Sequence, residues 1–152
     1  MTLRSLILAA VLTAAAPAAL AAAPVETFVD IPGGPGPLKG TMLAPAGGPH
    51  GPAVLILAGS GPTDRDGDNP LGVKGATYRL MAEGLAAQGV TTLRVDKRGM
   101  FASSLAAADP NAVTVVDLAA DAHSWAAKFR ADTGAPCVWL LGPAEAGLPA
   151  PS

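Results

Sequence analysis

The sequence predicts a single α/β domain, an N-terminal antiparallel strand pair leading into a mostly parallel sheet with flanking helices. Ala53-Val54-Leu55-Ile56-Leu57-Ala58 is a continuous apolar run of strand length, the pattern of a strand buried on both faces. Downstream of it, strand-like runs alternate with segments of helical period, an order that needs parallel strands and right-handed crossovers. Stretches rich in glycine and proline fall between these runs and serve as the connections.

Glu26 to Ile31 and Leu38 to Leu43 are short β-prone runs separated by Pro32-Gly33-Gly34-Pro35-Gly36-Pro37, which is too proline-rich for a helix and suggests an antiparallel pair. The linker Pro45 to Pro52 leads into the apolar strand, and a glycine-rich loop from Gly59 to about Gly75 follows it. Tyr78, Met81 and Leu85 recur at steps of three and four, one face of an amphipathic helix that Gly89 is placed to stop. Thr91 to Val95 is the next strand. Asp109-Pro110 resembles a helix start, and Leu118, Ala122, Trp125 and Phe129 repeat at helical steps up to Gly134. Pro136 to Leu141 is the last apolar strand, and Gly142 opens a sharp turn beyond it.

The chain has 152 residues, with 10 Lys plus Arg against 12 Asp plus Glu and a formal net charge of −2. No basic stripe forms, so nucleic acid is not an expected partner. One cysteine, Cys137, excludes an intrachain disulfide and a multi-cysteine metal site; it lies in an apolar run and reads as a packed thiol.

Residues 1–23 carry the marks of a secretory leader: Arg4, an apolar stretch from Leu6 to Ala16, and the small-x-small site Ala19-Leu20-Ala21. Cleavage after Ala21 is expected, giving a signal peptide at 1–21, a mature domain at 22–152 and a periplasmic or secreted protein. The apolar run is broken by Pro17 and is shorter than the ~20 residues that span a bilayer, so no stable membrane anchor is expected after cleavage.

The loop Ala58-Gly59-Ser60-Gly61-Pro62-Thr63-Asp64-Arg65-Asp66-Gly67 follows the buried strand, and its glycines free backbone N–H groups to face an anion. It lacks the Gly-Lys-Ser/Thr of a phosphate loop and the third glycine of a dinucleotide turn. Asp64, Asp66 and Asp68 alternate as calcium ligands do, but the glycine sits between the second and third and no distal Glu closes the loop. Neither a cofactor nor a metal is expected.

Leu-Ala-Gly-Ser-Gly-Pro-Thr-Asp-Arg-Asp-Gly (57–67), a helix, Leu-Arg-Val-Asp-Lys-Arg-Gly (93–99), another helix and Val-Trp-Leu-Leu-Gly (138–142) together resemble exported serine hydrolases of the α/β-hydrolase superfamily, of the esterase and dienelactone-hydrolase kind. The resemblance runs over residues 25–148 and corresponds to the N-terminal half of such an enzyme, so the expected fold is a partial α/β-hydrolase fold, truncated after the strand that leads to the nucleophile elbow. It implies an oxyanion hole from backbone N–H groups near Gly59 or Ser60 and from Glu145, the residue after the nucleophile position. A small ester-like molecule is the implied ancestral substrate. Asp96-Lys97-Arg98-Gly99 would form a structural turn with an Asp–Arg ion pair.

The resemblance places Gly142-Pro143-Ala144-Glu145-Ala146-Gly147 at the nucleophile elbow, with Ala144 in the serine position. Alanine has no oxygen to attack a carbonyl, and Pro143 removes one backbone N–H beside the turn. After Gly147 there is no Asp or His. His50 lies in a Gly/Pro loop, and His123 falls about 140° round its helix from Leu118, toward solvent. Ser60, Ser103, Ser104 and Ser124 have no visible His–Asp pairing. Three readings follow: a truncated or degenerate α/β-hydrolase, inactive as this chain; a non-catalytic exported binding protein that uses the Gly59–Asp68 loop; and a membrane-tethered structural protein held by an uncleaved leader. An open sheet edge at the 136–141 strand would favour association or aggregation.

Overall fold

The structure, a computed structural model, describes residues 22–142; the expected leader at 1–21 and the elbow residues Pro143, Ala144 and Glu145 lie outside them. Five strands form one mixed sheet in the order β1-β2-β4-β3-β5: β1 Val25–Pro32, β2 Pro37–Ala44, β3 Ala53–Leu57, β4 Thr91–Val95 and β5 Val138–Leu141. β1 and β2 pair antiparallel from Val25↔Ala44 to Pro32↔Pro37, as the proline-rich turn between them predicts. β2 is antiparallel to β4, and β3 runs parallel to both β4 and β5.

Helix α1, Thr77–Ala86, joins β3 to β4, and helix α2, Val115–Thr133, joins β4 to β5. These two crossovers travel in opposite directions across the sheet, so the right-handed rule sends them to opposite faces. On the α2 face, Trp125 and Phe129 pack over Val29, Ile31, Leu38, Ala53, Leu55, Leu93 and Val95. Gly40 lies beneath Trp125, where a Cβ would stand 3.1 Å from the indole ring and 3.1 Å from the Arg94 carbonyl oxygen. On the α1 face the core is thinner: Leu43 and Ile56 meet Ala82 and Ala86, with Val54 and Tyr78 half-buried beside them. Among the described residues no helix is long and apolar enough to cross a membrane.

Three expectations need correction. Met81 is exposed; the buried stripe of α1 runs through Ala82 and Ala86, because small side chains let the helix sit close to the sheet. Asp109-Pro110 starts a short 3₁₀ turn, Pro110–Ala112, and α2 begins later, at the capping box in which Thr114 Oγ1 accepts the Asp117 N–H and Asp117 Oδ2 accepts the Thr114 N–H. Cys137 is exposed, since it precedes β5 at the edge of the described sheet. Trp139 and Leu140 of β5 are likewise 65% and 57% exposed, so the apolar run marks a strand that is not covered on both faces. Gly134 does end α2, in the left-handed conformation at φ 67°.

Because Trp125 spans the α2 layer, Trp125→Ala should cost about 3–5 kcal/mol, the range for truncating a buried aromatic. Urea denaturation followed by far-UV circular dichroism should show the midpoint falling by a large share of its wild-type value. A shift within experimental error would mean that α2 is not docked as described.

Candidate functional site

The loop after β3 passes to the α1 face and the loop after β4 to the α2 face, and these two strands are neighbours. Loops at the carboxyl ends of such neighbouring strands are where open α/β sheets bind ligands. Gly59 and Ser60 belong to the first loop and Asp96, Lys97 and Arg98 to the second, and hydrogen bonds join the two.

The 59–68 loop is braced from within. Asp64 accepts the N–H groups of Asp66 at 2.9 Å and Asp68 at 2.8 Å through Oδ1, and Asp68 Oδ1 accepts that of Ala76 at 2.9 Å. Asp66 offers its carbonyl to the N–H groups of Tyr78 and Arg79 in the first turn of α1, and its carboxylate to Arg94. The alternating aspartates thus serve the loop and the helix start. The residue before α1, Ala76, has a left-handed φ of 45° and no side-chain cap, so the Asp66 carbonyl takes that work. Gly67, at φ 92°, makes the junction feasible: a Cβ there would come within 2.9 Å of the Thr77 and Tyr78 nitrogens.

From the far side, Asp96 is buried and accepts the Arg65 N–H at 2.8 Å and the Ala102 N–H at 3.3 Å. The Arg65 guanidinium lies 3.3 Å from the same carboxylate and stacks over Phe28 at 5.8 Å. The anticipated Asp–Arg pair therefore forms between different partners: Asp96 takes Arg65, while Arg98 takes Asp121 of α2 and also the carbonyls of Gly33 and Ala106. Lys97 donates to the Gly59 carbonyl at 2.5 Å and also to the Gly61 carbonyl.

Among the described residues the N–H groups of Gly59 and Ser60 donate to nothing, which leaves them free to face an anion. Glu145, the other expected donor, and Ala144 lie outside those residues. No serine meets a histidine there: Ser103 is buried between the Lys39 N–H and the Asp96 carbonyl, and Ser124 caps back onto Ala120. Ser60 and Ser104 are exposed, as are His50, before β3, and His123 on α2. A surface depression of about 540 Å³, lined by His50, Cys137 and Trp139 among others, opens where β3 and β5 begin. That is the opposite end of these strands from the 59–61 loop.

The sequence pointed to the 57–67 and 93–99 segments but missed the roles of Arg94 within them and of Ser103 just beyond them. Arg94, 1% exposed in β4, reaches Asp66 and Glu26 at opposite ends of its guanidinium. Ser103 lies in a 3₁₀ segment, Phe101–Ala106, between β4 and α2. The available signal for Arg94 was a charged residue inside an otherwise β-prone run.

Neither a protein-family model nor a curated protein matches the sequence. Solved structures do match. A cold-adapted esterase from an Arctic intertidal metagenomic library has a TM-score of 0.56 at 16% identity, covering 77% of this chain and 49% of its own. A dienelactone hydrolase of Anabaena variabilis gives 0.55 at 24% identity, covering 78% and 51%, and an α/β hydrolase of a Penicillium species gives 0.56 at 23% identity, covering 78% and 37%. The chain has part of the α/β-hydrolase fold, and it spans about half or less of the length of these structures.

Burial raises the Asp96 carboxyl above its ordinary 3.8, outweighing the Arg65 and Ala102 N–H groups and the Arg65 charge, which pull it down. The folded state then holds this proton more tightly than the unfolded one. The group's contribution is greatest below the unfolded value and declines as pH climbs through the raised folded value. Unfolding free energies of wild type and Asp96→Asn, compared by urea titration at about pH 3.5 and about pH 6.5, should show the wild type losing ground to the variant at the higher pH. A difference that moves the other way would mean that the Arg65 pair, and not burial, governs this carboxylate.

Proposed function

We propose that residues 22–152 are a degenerate α/β-hydrolase domain, derived from an enzyme that hydrolysed ester or related acyl bonds of small molecules, and that the chain as it stands turns over no ester. The observation that carries the ancestry is the 59–61 loop. It sits at the carboxyl edge of β3, with the N–H groups of Gly59 and Ser60 free of partners among the described residues. Donors fixed at such an edge are suited to an acyl oxygen as it gains negative charge, since they need no reorganisation when the charge appears. The α/β-hydrolase fold, found also in an esterase and a dienelactone hydrolase, supports the same reading.

Inactivity is supported by chemistry. A nucleophilic serine needs a base within hydrogen-bond reach, and the base needs an orienting acid. The residue that the resemblance puts in the nucleophile position is Ala144, and among the described residues no hydrogen bond joins a serine to either histidine: Ser103 bonds Lys39 and Asp96, and Ser124 bonds Ala120. The second reading, an exported binding protein that uses the Gly59–Asp68 loop, is favoured by how completely the loop aspartates are engaged: a loop so braced is a preformed surface. Association through the β5 edge, where Trp139 and Leu140 are exposed, fits either reading.

With a p-nitrophenyl ester and a fluorophosphonate probe, purified wild type and the double variant Pro143→His, Ala144→Ser should both match a heat-denatured control. Restoring one hydroxyl leaves it without a base. Stoichiometric labelling of native wild type at any serine would show a nucleophile elsewhere and overturn the inactive reading.

Export is proposed from Arg4, the apolar stretch and the Ala19-Leu20-Ala21 site. Intact mass of the protein recovered from an exporting bacterial host should correspond to a chain starting at Ala22. Recovery with Met1 attached from the membrane fraction would reverse the localisation and favour a tethered protein.

A further inference from the structure

We propose that Lys97 is the positioning residue of the 59–61 loop: its ammonium holds the Gly59 and Gly61 carbonyls on one side, and so presents the Ser60 N–H to an oxyanion on the other. The inference deepens the reading of this loop as the electrophilic part of a hydrolase site and rests on it. Lys97 Nζ donates to the Gly59 carbonyl at 2.5 Å and to the Gly61 carbonyl. In a planar trans peptide the C=O and the following N–H point in opposite directions. Turning the Gly59 carbonyl toward Lys97 therefore turns the Ser60 N–H away from it. The second carbonyl belongs to the bond before Pro62, which has no N–H, so that contact uses no donor. Gly61 also accepts the Thr63 N–H at 3.0 Å, which closes the loop on the same side.

The surrounding charges leave the ammonium to this task. Asp96 faces Arg65 and the Ala102 N–H, Asp64 faces its own loop, and Arg98 faces Asp121. Among the described residues no carboxylate pairs with Lys97, and burial pushes its pKa below the ordinary 10.5. A lysine suits the place because its compact ammonium directs three donors from a flexible stem, and two carbonyls approaching from one side need that latitude.

The test uses the full chain labelled with ¹³C and ¹⁵N. The carbonyl ¹³C resonances of Gly59 and Gly61, followed by ¹³C detection from about pH 7 to about pH 11.5, should move with the same midpoint as Lys97 Cε, below the ordinary lysine value. In Lys97→Met both carbonyls should stop titrating and the Ser60 ¹⁵N heteronuclear NOE should fall, while those of Leu93 and Trp125 stay unchanged. Lys97→Arg should recover most of the Ser60 NOE. Carbonyls that stay flat while Lys97 titrates in wild type would overturn the proposal, a result that needs no variant to fold. Methylphosphonate added at pH 7 separates the two layers of the inference. A Ser60 N–H shift in wild type that Lys97→Met loses supports both. Carbonyls coupled to Lys97 with no Ser60 response keep the clamp and remove the oxyanion reading.

Discussion

Three consecutive side chains at the carboxyl end of β4 hold the rest of the molecule in register. Asp96 fixes the 59–68 loop through the Arg65 N–H and the 101–106 segment through the Ala102 N–H. Lys97 holds the tip of that loop by its carbonyls, and Arg98 joins α2, the turn after β1 and the 101–106 segment through Asp121, Gly33 and Ala106. β4 is the central strand of the described sheet and is buried along its whole length, so its end is anchored by a neighbour on each side. A buried carboxylate is costly to remove for an asymmetric reason. The pair adds little net stability over a well-packed apolar substitute, but deleting one member leaves the N–H groups around it unsatisfied.

The α1 face is held by a different means. Its apolar core is small, and in β4 the space beside Thr92 is taken by Arg94, whose guanidinium runs from Asp66 to Glu26. The arginine is 1% exposed while its partners are 42% and 48% exposed, so the side chain passes through the interior and meets carboxylates that keep much of their water. Arg94 Nε has no partner among the described residues, as expected when two ends of one fork are aimed at different elements. Such a residue contributes position more than energy: it ties β1, β4 and the loop together where alanines on α1 leave little apolar surface for the work.

How much of this was legible in the sequence depended on the range of the interaction. β4 matched its expected span, and the other strands matched to within a few residues, because burial imposes a local apolar pattern. The second helix was placed by its apolar repeat, but its start was set too early. Asp109-Pro110 is a strong local signal, and the true cap, Thr114 with Asp117, uses an Asp where Glu or Gln is the usual partner. Met81 shares the apolar repeat of Tyr78 and Leu85, whereas a close-packed interface selects Ala82 and Ala86. Cys137 was misplaced because an apolar run cannot say whether both faces of its strand are covered. The loop at 59–61 could be found from its glycines, but the partners of Asp96, Lys97 and Arg98 could not. Each lies 23 or more residues away along the chain for at least one contact, and only the crossover geometry decides which neighbours arrive.

That difference in range bears on how a hydrolase domain decays. In the proposed reading, the oxyanion-binding loop uses backbone N–H groups, and the contacts that hold it are those that hold the sheet, the 101–106 segment and α2. Losing Asp96 or Arg98 would weaken the fold together with the site, so selection for a folded chain alone preserves the loop. A nucleophilic hydroxyl has no such second role. It is placed for reaction at a turn, where its oxygen adds little to packing, and alanine there costs the fold little. In that reading a domain released from catalysis loses its nucleophile first and keeps its electrophilic loop, and Gly59 and Ser60 with Ala144 would be such a combination.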